Sequence, residues 1–190
     1  MNWLIMSSGT NTFKQIPFGR TGVAGTTDRY FFPSADFNGD GRDELVFVNR
    51  NLPGGTVNYY VGDSNTGAGI ITKSFGNYNS DFSIPPADYT GDGRADFVAV
   101  RRTQGAPLIW YINNSVTNAT TATVFGDSPI SIDNADLPVR GDYDGDRRHD
   151  IAVYRQSNRT FYYISSFNDS IQGQEAGLLG EFPLGFYNVY

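Results

Sequence analysis

The chain has no cysteine and one histidine, His149. Nothing in it can depend on disulfides, and thiolate zinc sites and histidine-based triads have nothing to build on. No segment is apolar enough to span a membrane, and no secretory leader is visible at the N-terminus. Basic residues are in the minority: 14 Lys and Arg stand against 20 Asp and Glu, a net charge of −6. A nucleic-acid partner needs a basic face, so this balance argues against one. What remains plentiful in 190 residues is aromatic side chains, at 15%, and 22 glycines. That composition suits a loop-rich, all-β chain of one domain.

The acidity is organised. A nine-residue stretch, Asp36 to Glu44, recurs as Asp88 to Asp96 and as Asp142 to Asp150. Oxygen-bearing side chains stand at positions 1, 3, 5 and 9 of each copy: Asp36, Asn38, Asp40 and Glu44; Asp88, Thr90, Asp92 and Asp96; Asp142, Asp144, Asp146 and Asp150. Calcium takes six to eight oxygen ligands from flexible loops, and the carbonyl of position 7 (Arg42, Arg94, Arg148) can add another. Glycine at position 6 (Gly41, Gly93) lets the backbone take a positive φ and wrap the ion. Up to three calcium ions are therefore expected, and three would cancel the net charge of −6. Loop two has the neutral Thr90 at position 3, and loop three has Arg147 where glycine is wanted, at a cost in backbone strain. Four aspartates compensate in loop three. The expected affinities place loops one and three above loop two, all in the roughly 0.1–1 mM range of extracellular modules.

The flanks argue against an EF-hand, which needs a bidentate glutamate at position 12, where this chain has Phe47, Ala99 and Val153. Leu45 to Val48, Phe97 to Val100 and Ile151 to Tyr154 read instead as short strands, β-branched or aromatic and bounded by loops. Further along, Trp3 to Ser8 is expected to match Ile109 to Asn114 and Phe161 to Ser166 in register.

The three loops, the pairs Phe18-Gly19, Phe75-Gly76 and Phe125-Gly126, and the strands ending in Arg50, Arg101 and Arg155 resemble the FG-GAP/VCBS repeat family. Its repeats form the blades of β-propellers in integrin α-subunits and many secreted bacterial proteins. Pro138 to Asp146 followed by Asp150 to Arg155 is similar to the bacterial type, and Gly105 to Pro107 departs from the integrin pattern. The resemblance implies a propeller of about four blades over 1–190, with repeats near 30–76, 84–126 and 136–180, and with 1–19 and 182–190 forming a split blade. Part of a larger propeller is the rival arrangement. The implied role is a non-catalytic, calcium-stabilised adhesion or carbohydrate-binding module, secreted or surface-displayed, with a carbohydrate or a cell-surface protein as partner. One alternative is a self-assembling subunit joined by its terminal strands; another is an accessory domain of an extracellular hydrolase.

Other candidates read more plainly. Arg140-Gly141-Asp142 resembles an adhesion tripeptide, but Asp142 is committed to loop three. His149 is expected in solvent. Asp127, Asp133, Asp136 and Glu181 are left over, with no repeated pattern that suggests a carboxylate pair for glycoside hydrolysis. Trp3, Trp110, Tyr111, Tyr162 and Tyr163 lie on third strands, where alternation sends one of each neighbouring pair inward and could leave others for a sugar ring. Asn113, Asn118, Asn158 and Asn168 open Asn-x-Ser/Thr sequons, which matter only in a glycosylating host.

Overall fold

The computed structural model describes residues 2–7, 9–19, 30–31, 34–51, 54–129, 135–178 and 181. Within these the chain is all-β, with strands but no helix, and it forms two compact units, Met1–Tyr78 and Asn79–Tyr190. The first unit holds the hairpin β1 (Asn2–Ser7) and β2 (Thr12–Pro17), then an antiparallel sheet of β3 (Tyr30–Phe31), β4 (Leu45–Asn51), β5 (Thr56–Gly62) and β6 (Gly69–Asn77). The second holds two sheets of the same form. One is β7 (Asp81–Ser83), β8 (Phe97–Arg101), β9 (Ala106–Asn113) and β10 (Thr120–Ser128). The other is β11 (Asp136–Val139), β12 (Ile151–Arg155), β13 (Thr160–Ile164) and β14 (Ile171–Glu175). Strands pair in chain order, so each sheet is a simple meander. The expected closing strand 182–190 and the end of the third repeat at residue 180 lie outside the described residues.

Strand composition follows position. β8 is buried from Phe97 to Val100, which explains its unbroken apolar run. β5 alternates, burying Val57, Tyr59 and Val61. In the second unit, Val153 of β12 enters the core of the neighbouring sheet with Tyr89, Val98, Val100, Leu108, Trp110 and Ile112, while Ile151 and Tyr162 pack at its edge. One face of the β11–β14 sheet thus covers one face of the β7–β10 sheet. Large side chains so buried contribute about 1.5–3 kcal/mol each.

The Phe-Gly pairs mark a bend in the fourth strand. Gly76 and Gly126 take φ of 84° and 95°, where the registers of β6 and β10 slip. A Cβ on Gly126 would stand 2.9 Å from Val153 Cγ1 and 3.0 Å from Leu108 Cδ1, so glycine permits the close approach of the next sheet. The carbonyl before it, Phe125 O, accepts the indole N–H of Trp110 at 3.1 Å.

The turn after each third strand corrects the expected register. Its left-handed residue is Asn11, Gly67, Asn118 or Asp169. The last three donate their N–H groups to Asp63 O, Asn114 O and Ser165 O. Counting back from these turns, Trp3 corresponds to Phe161 as expected, but to Trp110 and Tyr59 rather than to Ile109. A slip of one residue matters because it exchanges the two faces of a strand.

Candidate metal loops

Each nine-residue stretch joins the first strand of its sheet to the second, and all three share one backbone scheme. The position-1 carboxylate accepts two loop amides: Gly39 and Gly41 on Asp36, Gly91 and Gly93 on Asp88, Gly145 and Arg147 on Asp142, at 2.6–2.9 Å. The position-5 carboxylate accepts the amide of position 7, from Arg42 to Asp40, Arg94 to Asp92 and Arg148 to Asp146. Positive φ occurs at position 6, as expected, with Arg147 forced to 76°. It also occurs at position 4, in Gly39, Gly91 and Gly145, a repeated glycine whose role the sequence reading passed over.

Position 9 differs from the others. Glu44, Asp96 and Asp150 are buried and close the loop from inside. Phe37 and Asn38 N–H donate to Glu44, Tyr89 and Thr90 N–H to Asp96, and Tyr143 N–H to Asp150. The second oxygens of Asp96 and Asp150 accept Ser115 N–H and Ser166 N–H from the turn after the third strand. Burial pushes the Asp96 carboxyl up to about 6 against these bonds, and raises Glu44 likewise.

The turn also reaches the exposed side of the loop. Asn114 Nδ2 donates to Thr90 Oγ1 at 2.8 Å and Asp92 Oδ2 at 2.7 Å. In the third repeat Ser165 Oγ donates to Asp144 Oδ2 at 2.6 Å, and Ser166 Oγ to Asp146 Oδ2 at 3.0 Å. The Ser165 bond holds the Asp144 carboxyl below its usual range.

Loop three brings three acids together. Asp142, Asp144 and Asp146 each offer a carboxylate oxygen, all within 4.8 Å of one another. Ligands at calcium distances of about 2.3–2.6 Å can lie at most about 5 Å apart, so one ion suits all three. Loops one and two carry Asn38 and Thr90 at position 3, and no other acidic trio converges this way among the described residues.

Loops two and three touch. His149 N–H donates to Asp88 O at 2.7 Å, and the His149 ring lies 5.7 Å from that of Tyr89. The Arg148 stem crosses Gly91, where an added Cβ would stand 2.6 Å from Cδ. Arg140 Nη1 donates to Pro86 O at 3.2 Å. His149 is therefore half-buried rather than in solvent, and burial, then Arg140, lower its pKa. Burial by the neighbouring sheet is the reason the expectation failed.

Asp136 is not left over either. It is fully buried and receives Arg155 through two bonds of 2.7 Å, a clamp repeated by Arg101 on Asp81 at 3.0 and 3.3 Å. The same arginines lie 4.9 Å over Tyr111 and 5.0 Å over Tyr162. These pairs hold the first strand to the second. Of the remaining carboxylates, Asp127 and Glu181 are exposed and Asp133 lies outside the described residues. Trp110 is fully buried and Trp3 half-buried, while Tyr163 stacks on Tyr143 at 5.2 Å beside a cavity of about 590 Å³.

No curated protein and no solved structure matches the chain. Residues 36–99 match the family model of the FG-GAP-like repeat, a span that begins at position 1 of loop one and ends just past loop two.

Proposed function

We propose that the chain is a calcium-stabilised, β-propeller-type module that binds rather than catalyses, working outside the cell or on its surface. The observation that carries this is the convergence of Asp142, Asp144 and Asp146 within 4.8 Å, in a loop whose scheme is repeated in FG-GAP-type sequence. Calcium supplies the positive charge that offsets the repulsion of these carboxylates. The loop residues have distinct tasks: position 1 sets the turn and, with positions 3 and 5, offers oxygen to the ion in loop three, and buried position 9 fixes the frame. Weak sites of this class fill at extracellular calcium concentrations, which is the reason for the location. Calorimetric titration with calcium tests the reading. Up to three ions should bind, with loop three contributing most strongly, and the absence of any calcium binding at millimolar concentration overturns it.

A further inference from the structure

The two sheets of the second unit show how one repeat is covered by the next. The face of the β7–β10 sheet that carries Tyr89, Trp110 and Ile112 is sealed by the β11–β14 sheet, leaving these residues 6%, 0% and 7% exposed. The corresponding positions of the β11–β14 sheet hold Tyr143, Phe161 and Tyr163. These rings are only half-buried, packed on Val139, Ala152 and Tyr154 beneath them. They form one aromatic platform, with centroid spacings of 5.2 Å for Tyr143 to Tyr163 and 6.0 Å for Tyr143 to Phe161. The cavity of about 590 Å³ opens against Tyr143 and Tyr163.

The chain also carries a surface of the kind that covers such a platform. In the observed packing, Tyr162 of β13 lies against the β7–β10 face. Counting back from the left-handed turn residues Asp169 and Asn11, the position of Tyr162 is that of Leu4 in β1. The face of the hairpin that bears Leu4 exposes Leu4 at 69%, Met6 at 55% and Phe13 at 66%, with Met6 directly opposite Phe13. Its other face, with Trp3, Ile5 and Ile16, is half-buried or buried. Three adjacent large apolar side chains in solvent on a two-stranded hairpin mark an interaction surface.

We propose that the Tyr143–Phe161–Tyr163 platform docks the Leu4–Met6–Phe13 face of a second copy of this chain, repeating between molecules the packing seen between the two sheets of the second unit. The contact is heterologous, since one chain brings its first hairpin and the other its last sheet, so it propagates or closes into a ring of copies. It rests on the sheet packing and not on bound metal.

Sedimentation velocity over a concentration series tests it, on the full chain with calcium and again with EDTA. The wild type should associate, while Leu4→Asp/Phe13→Asp and, separately, Tyr163→Asp should each remain single chains, with circular dichroism confirming that they fold. Mixing the two variants should give a species of two chains and no larger, because each supplies one intact surface. A wild type that stays a single chain at every concentration overturns the proposal, and so does undiminished association of Leu4→Asp/Phe13→Asp. Failure of calcium to bind leaves these outcomes readable, so the two proposals fail separately.

Discussion

Loop two leans on the repeat that follows it, whereas loop three receives no such backbone bond among the described residues. His149, Arg148 and Arg140 reach from the β11–β14 repeat to Asp88, Gly91 and Pro86, so the backbone of loop two is held by packing and hydrogen bonds. Among the described residues no backbone N–H from outside the loop reaches the Asp142 carbonyl in the same way. The charges run in the opposite direction. Loop two has Thr90 at position 3 and the amide of Asn114 on both Thr90 and Asp92, whereas loop three brings three aspartates together. One backbone scheme is thus held by a neighbouring sheet in loop two and gathers more negative charge in loop three.

The largest expected effect is removal of the ion altogether. A site at calcium about ten times its Kd gains about 1.4 kcal/mol of stability. At roughly 2–4 °C per kcal/mol for a chain of this size, EDTA should lower the melting temperature by about 3–6 °C for each site that it empties. A melt unchanged in EDTA, for protein that purifies without metal, removes calcium from the account.

The next effect separates the loops. Asp146→Ala deletes an anionic oxygen from the trio and the acceptor of Ser166 Oγ, so calcium affinity at loop three should fall about 10- to 100-fold, the equivalent of about 1.5–3 kcal/mol. Asp40→Ala should act similarly at loop one. Thr90→Ala removes a neutral group already occupied by Asn114 and should cost well under tenfold. Calorimetry that finds equal losses in all three variants contradicts the contrast drawn between the loops.

Much of this could be read from the chain itself, and the misses have physical causes. The loops were legible because alternating acids within nine residues are a local pattern, as were the strands after them. The clamps of Asp81 with Arg101 and Asp136 with Arg155 were not, because their partners lie about twenty positions apart and only strand register joins them. His149 was misplaced for a similar reason: its covering, Tyr89, belongs to another repeat. Side-chain similarity points to Ile109 as the counterpart of Trp3, whereas the left-handed turn residue sets the register one position on, at Trp110. Trp3 to Met6 reads as a strand too apolar to stand free, but Leu4, Met6 and Phe13 do not read as one exposed face, since an apolar residue on a hairpin reads the same whether or not anything covers it.

Acid should sharpen the contrast between the loops. The Asp96 carboxyl is pushed up to about 6 by burial, from an ordinary value of 3.8. Without metal, this group therefore favours the folded state at pH below 3.8, and that contribution is lost as pH rises through about 6. With metal, protons and calcium compete, and binding at loop two should weaken as pH falls through about 6. Asp144, held low by the Ser165 hydroxyl, keeps its charge further into acid. Bound calcium counted at pH 7.5 and 5.5 should show loop two releasing first; loss from loop three first would reverse the assignment.

The smallest effect concerns one backbone angle. Arg147 sits at φ 76°, where loops one and two have Gly41 at 80° and Gly93 at 79°. A side chain in that region costs of order 1–3 kcal/mol, and the freedom that glycine adds to the unfolded chain returns about 0.5–1 kcal/mol of it. Arg147→Gly keeps the backbone N–H that Asp142 accepts and takes a positive charge away from the aspartates. It should raise the melting temperature by about 2–4 °C and strengthen calcium binding at loop three by less than about tenfold. The reciprocal change, Gly41→Arg in loop one, should do the opposite. Nothing lies within 4 Å of a Cβ placed at Gly41, so its cost would be conformational rather than steric. If Arg147→Gly lowers the melting temperature, the arginine side chain stabilises loop three by more than its strained backbone costs.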